Sequence, residues 1–136
     1  LVIPIRTMAG EVNVVQIMTF MYLTVAHQGD GEITEAEGEK ARDFTMRYSG
    51  NFPNFEYNFT KACEWYDRAL NGGSDFVFKQ YSINVNALLN DLEMSDEVRQ
   101  QIYDDLVTIA RADGEISQGE KAILDKTAGA WGLISV

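Results

Sequence analysis

Cysteine, histidine and proline are scarce in this chain, with one Cys, one His and two Pro in 136 residues. A single Cys63 excludes an intrachain disulfide and a thiolate zinc cluster, and it fits a reducing compartment, hence a cytoplasmic location. His27 alone cannot build a multi-histidine metal site; at the end of an apolar run it reads as a helix C-terminal or packing residue rather than a ligand. Basic residues are also few, 11 against 21 acidic, for a net charge of −10. That balance opposes a phosphate backbone, so nucleic acid and anionic membrane are poor partners. A cationic ligand, a divalent metal ion or a basic protein surface suits the field better, although solvated acidic helices explain the same composition without any ligand.

Long hydrophobic runs are missing too. The stretch Val12 to Ala26 is about 15 residues long and is interrupted by Asn13, Gln16, Thr19 and Thr24, whereas a membrane span needs about 20 predominantly apolar residues. It reads as a buried helix, and no transmembrane segment is expected. No P-loop, dinucleotide-binding glycine fingerprint, nucleophile elbow or zinc-protease motif occurs. Asn58-Phe59-Thr60 matches a glycosylation sequon without a secretory context. The opening Leu1-Val2-Ile3-Pro4, with neither Met nor a basic region before an apolar stretch, leads us to expect the ordered part of a longer product. The length suits one domain, 1–136, able to bury about two thirds of its unfolded surface.

What is present is a repeat. Asp30-Gly31-Glu32-Ile33-Thr34-Glu35-Ala36-Glu37 returns as Asp113-Gly114-Glu115-Ile116-Ser117-Gln118-Gly119-Glu120, identical at five of eight positions. Each copy follows a helix-like apolar segment.

Periodicity predicts helices nearly throughout. Val14, Met18, Met21 and Val25 share a face of a helix over roughly Glu11 to His27. Thr34 starts a second helix ending near Tyr48, before the breakers Ser49-Gly50-Asn51 and Pro53. Phe55, Phe59, Cys63, Tyr66 and Leu70 form a third stripe, stopped by Gly72-Gly73, although the aromatics of 52–59 would also suit a short strand. Ser74 or Asp75 can cap a fourth helix with Val77, Tyr81, Val85, Leu88 and Leu92 on one face. Ser95 caps a fifth, with Val98, Ile102, Leu106 and Ile109 inward; Ser117 caps a sixth that runs to Trp131 and ends at Gly132. The expected fold is all-α: two pseudo-symmetric helix-turn-helix hairpins, Glu11 to Tyr48 and Ser95 to Trp131, bridged by a central helical pair. Nine of the 15 aromatics, Phe52, Phe55, Tyr57, Phe59, Trp65, Tyr66, Phe76, Phe78 and Tyr81, fall in that centre. Helical spacing favours core packing for them over a recognition surface.

Chemistry explains most of the octet as architecture. Asp-Gly is a turn signal because Gly accepts positive φ. Thr34 with Glu37, and Ser117 with Glu120, fit the capping box. Ile33 and Ile116 lack an apolar staple partner at the fourth helical position, where Gly38 and Lys121 stand, and are expected to enter the core. Turn and cap do not require Asp30, Glu32, Asp113 and Glu115. Such crowded carboxylates either lie open to water or bind a cation as hard oxygen ligands. The spacing also matches the second half of a calcium-binding EF-hand loop, Gly at position 6 and Glu at 12. The first half does not match: positions 1 and 3 would be Ala26 and Gln28, or Ile109 and Arg111.

Ile109-Ala110-Arg111-Ala112-Asp113-Gly114-Glu115-Ile116-Ser117, continuing through Glu120-Lys121 to Ala130-Trp131-Gly132-Leu133, resembles the C-terminal motif of the tellurite-resistance TerB family. Leu23-Thr24-Val25-Ala26 through Asp30-Gly31-Glu32-Ile33 to Glu37 resembles its N-terminal counterpart, with His27-Gln28-Gly29 departing from the more typical Ala110-Arg111-Ala112. The resemblance implies a compact helical domain with pseudo-twofold symmetry, a role in stress and tellurite resistance, no catalytic chemistry, and metal chelation at the acidic turns. Carried over, it singles out Asp30, Glu37, Asp113 and Glu120, with Glu32 and Glu115 beside them.

Three function classes follow. The first is a cytoplasmic, non-enzymatic stress-response module that binds divalent cations weakly and docks a protein partner. The second is an interaction or scaffold domain whose acids only keep it soluble. The third, an enzyme with paired carboxylates, would need a carboxyl of raised pKa in a cleft and has little support in the sequence.

Overall fold

Asn13 ends an extended segment and starts the central helix. Its side chain accepts a hydrogen bond from the Gln16 N–H at 3.1 Å, and its carbonyl accepts from Ile17 N at 3.0 Å. In the computed structural model, which describes residues 5–7, 10–30, 33, 35–49, 54–91, 94–112 and 114–135, α1 therefore spans Val14–Asp30. This corrects the predicted start at Glu11. Glu11 and Val12 instead belong to β2 (Gly10–Val12), which pairs antiparallel with β1 (Ile5–Thr7) in the register Ile5 to Val12. Beyond that short ladder the described fold is all-α: α2 (Glu35–Ser49), α3 (Phe55–Asn71), α4 (Ser74–Asn86), α5 (Asp96–Ala110) and α6 (Gln118–Trp131).

α1 has no polar face. Every residue from Val14 to Ala26 except Gln16 is buried, and a helix apolar all round must be covered on all sides. The other five helices cover it, since α1 packs against α2, α3, α4, α5 and α6. Among the described residues no helix is long and apolar enough to cross a membrane.

The remaining boundaries follow local chemistry. Ser95 caps α5 by accepting from Val98 N at 3.2 Å. Gly132 ends α6 in the left-handed conformation at φ 71°, and Leu133 N closes back on Ala128 O at 2.9 Å. Neither Ser74 nor Asp75 caps α4, contrary to expectation. The chain reverses through Gly73 at φ 96°, which puts a residue without a side chain at the cap and both candidates inside the first turn. α4 continues into a π-helical turn over Ala87–Asp91. Two residues before it, the Val85 carbonyl accepts from the Trp131 indole N–H at 3.0 Å. Leu92, the breakers Gly50 to Pro53, and Phe52 lie outside the described residues.

Residues 55–59 are helical, not a strand. The buried stripe of α3 is Phe55, Asn58, Ala62, Trp65, Tyr66 and Ala69, rotated from the predicted one, so Phe59, Cys63 and Leu70 sit at its half-buried edge. Asn58 moves inward because its amide oxygen accepts from Asn13 Nδ2 at 2.9 Å and Gln16 Nε2 at 3.2 Å, tying α3 to the start of α1. This burial withdraws the sequon's asparagine from solvent. Most of the central aromatics do pack. Phe20 of α1 meets Trp65 at 4.5 Å and Tyr66 edge-on at 5.2 Å. Phe55, Tyr81, Trp65 and Tyr66 are buried, Phe59, Phe76 and Phe78 border the core, and Tyr57 is the exception at 62% exposure.

The two hairpins share spacing and make contacts of the kind that a twofold relation would pair. α2 and α6 begin at Glu35 and Gln118, and Tyr22 of α1 reaches Asp105 of α5, in each case 83 residues apart. α1 touches α6 and α2 touches α5, the reciprocal contacts of a twofold arrangement. Tyr22 and Asp105 thus occupy equivalent positions and meet each other. Asp105 is only 6% exposed; its Oδ2 accepts from the Tyr22 hydroxyl at 3.3 Å and its Oδ1 from Arg47 of α2 at 3.2 Å. Arg47 in turn lies over the Phe44 ring, 5.0 Å from its centroid.

Asp105→Ala is expected to cost about 1–3 kcal/mol, since it removes a buried acceptor from a hydroxyl and a guanidinium. Tyr22→Phe should cost less. Urea unfolding of both single variants and the double variant should give a coupling of at least about 0.5 kcal/mol; strictly additive losses would show that the two equivalent positions do not interact.

Candidate acidic-turn site

The second acidic turn is built by its backbone. α5 closes through Arg111, whose N–H reaches Val107 O at 2.9 Å, and Gly114 N then bonds back to Arg111 O at 2.9 Å. Gly114 takes φ 106°, a conformation that a side chain would strain, which accounts for the glycine after Asp113. Ile116 follows and packs half-buried against the core. Ser117 then caps α6 in full capping-box geometry: its Oγ accepts from Glu120 N at 3.1 Å, and Glu120 Oε1 accepts from Ser117 N at 2.8 Å.

The acids of this turn are consequently not equivalent. Glu120 is folded inward at 3% exposure with one oxygen committed to the cap, whereas Glu115 stands exposed. In the first copy, Ile33 borders the core as its counterpart does, and Glu37 is half-buried as the third residue of α2, the same helical position that Glu120 holds in α6. Gly31, Glu32, Thr34 and Asp113 lie outside the described residues, as does the side chain of Asp30, whose backbone ends α1. Among the described residues, no group of three or more His, Cys, Asp or Glu side chains is placed to hold a metal ion. The donors that the turns offer are hard carboxylate oxygens, suited to calcium, magnesium or manganese rather than to thiophilic metals.

The other chemistry-bearing residues take structural roles. His27 is half-buried with its ring edge-on to Tyr66 at 6.0 Å, the packing role expected of it. Cys63 is half-buried in α3, and burial, with Asp67 and Glu64 nearby, raises its thiol pKa above the usual value. That disfavours the thiolate nucleophile. Burial likewise raises the Tyr81 phenol, which exchanges a hydrogen bond with Thr127 at 2.8 Å. Pattern reading missed Asp105. An acid inside the buried stripe Ile102, Tyr103, Leu106 and Ile109, 83 residues from Tyr22, was the available signal.

Two helical hairpins, the first containing the buried helix α1, and an Asp-Gly-acidic segment between the helices of each in the sequence, define a class of all-α domain. The sequence matches the family described as Tellurite resistance protein TerB over residues 16–135, a span that includes both turns, and the chain belongs to that family. No curated protein and no solved structure matches it.

Two outcomes test the site's architecture. Ser117→Ala should lower stability by about 1 kcal/mol in metal-free buffer through the lost cap, while Glu120→Gln should leave it nearly unchanged because Gln can return the same bond. Thermal unfolding reads both, and a large loss in Glu120→Gln alone would show that its charge matters to the fold. Alkylation of Cys63 by iodoacetamide near neutral pH should be slower in the folded protein than in urea, as a raised thiol pKa and partial burial require. Equal rates would place the thiol in an open, unperturbed setting.

Proposed function

We propose that this chain is a non-enzymatic module of the cytoplasmic stress response of the tellurite-resistance type, one that binds divalent cations weakly through its acidic turns and docks a protein partner. Family membership supports the resistance-related role. The observation that carries the metal reading is Glu115: it stands in solvent beside a turn whose backbone bonds, core contact and cap need no carboxylate from it. Asp30, Glu32, Asp113 and Glu37 would join it, and Glu120 would contribute only the oxygen that its cap leaves over. A net charge of −10 favours cations and basic protein surfaces alike. No reaction is assigned, and the raised thiol pKa of Cys63 supports leaving the protein outside nucleophilic catalysis.

The capping box favours a second reading, in which Glu120 is architecture and the domain is a metal-free scaffold. Titration of metal-stripped protein with calcium, magnesium, zinc and manganese distinguishes them. Calcium should bind more weakly than the ~10⁻⁷–10⁻⁵ M of sensor sites, because the first EF-hand ligand positions lack carboxylates. Millimolar cation should then raise the unfolding temperature of the wild type by mass action, and less so in Glu37→Gln and Glu120→Gln. Identical cation responses in wild type, both Gln variants and Ser117→Ala would leave these two carboxylates as solvated or capping groups and favour the scaffold.

A further inference from the structure

The space between the end of α1, α4 and α6 forms a cleft of about 460 Å³, within the range of roughly 300–1,000 Å³ usual for small-molecule sites. Its walls are the apolar faces of Phe78, Tyr81, Ala122 and Ile123, and its polar groups include Lys79 and Lys126. Among the described residues no carboxylate lines it. In a chain with 21 acids and 11 bases, a cleft whose described lining holds two lysines and no acid reverses the sign of the overall charge. Neither lysine has an ion-pair partner among the described residues.

The helix that forms one wall also carries a glycine near its start. Gly119 is the second residue of α6 and does not adopt positive φ, so its backbone does not need glycine. At the equivalent position of the other repeat, the second residue of α2 is Ala36. A Cβ at position 119 would lie 3.1 Å from Gln28 Oε1, within the cleft lining. With glycine there the Gln28 amide packs against the start of α6 without the few tenths of an ångström of displacement that a Cβ would ask of it.

We propose that this cleft is a binding site for a small amphiphilic carboxylate, its apolar body against Phe78, Tyr81, Ala122 and Ile123 and its charge between Lys79 and Lys126. The site borders the acidic segments through Gln28 and Gly119 but uses none of their carboxylates as described lining, and it does not depend on their binding metal.

Decanoate and decylamine, which share a chain and differ in the sign of the head group, make the test. The whole-molecule charge favours the amine at every other surface, so a preference for the acid must come from the cleft. Isothermal titration of the full chain at moderate salt, below the micelle-forming concentration, is expected to show saturable decanoate binding tighter than about 1 mM, with decylamine at least tenfold weaker. The exposed double substitution Lys79→Glu/Lys126→Glu should weaken decanoate about tenfold or more without altering the unfolding temperature substantially. Ala122→Phe, which fills the cleft from an exposed helical position, should abolish saturation while both lysines remain. Equal or tighter binding of decylamine, an unchanged constant in both variants, or no decanoate binding to wild type would each overturn the proposal. These readouts are made in chelator, so a failure of the cation-binding reading would leave them unaffected.

Discussion

A helix without a polar side sets the terms for everything else in this molecule. α1 buries all but one of thirteen consecutive residues from Val14 to Ala26, and no orientation on a surface could satisfy it. The remaining helices must therefore surround it, which places α1 at the centre and displaces the acidic excess to the periphery. The polar atoms within this core are handled locally where the chemistry permits. Thr24 and Thr45 return their hydroxyls to carbonyls one turn earlier, each at 2.8 Å. Others are satisfied between elements: Asn58 accepts from Asn13 and Gln16, Tyr81 shares a bond with Thr127, and the Asp105 carboxylate draws on both Tyr22 and Arg47.

The repeat explains why that contact falls where it does. Elements related by an approximate twofold meet their own equivalents near the axis, and Tyr22 with Asp105 is such a meeting, now occupied by different but complementary residues. Divergence elsewhere follows the same logic. The turn and cap close the second hairpin, and the sequence repeats their residue types in the first, while other positions 83 residues apart differ: Gln28 against Arg111, Ala36 against Gly119, Asp43 against Lys126. The lysine-bordered cleft lies on one such diverged surface.

Within the acidic turns, structural and ionic demands fall on different carboxylates. Glu120 is spent on satisfying a backbone donor at the start of α6, and its burial makes it the worst placed of the described acids to exchange with solvent ions. Glu115, three residues before the first turn of α6, has no such duty. A cap fixes where the helix begins and hence where the neighbouring acids project, so the architectural residue and the exposed one are coupled without doing the same work.

The sequence by itself determined the elements: the six helical stretches, the capping by Ser95 and Ser117, the left-handed stop at Gly132, the turn at Gly114, and the family to which the repeat belongs. These depend on interactions among residues a few positions apart, so their signals are contiguous in the chain. Periodicity also located the stripes of α4 and α5, where one face is buried, but it misplaced that of α3, where Asn13 just before α1 and Gln16 within it hold Asn58 inward. Tertiary structure alone decided the start of α1 beside a strand pair, the Tyr22–Asp105–Arg47 cluster, the separate fates of Glu115 and Glu120, and the cleft between α4 and α6. Each of these joins or shields groups distant in the chain, and whether a polar side chain is buried depends on what packs against it, which no local spacing specifies.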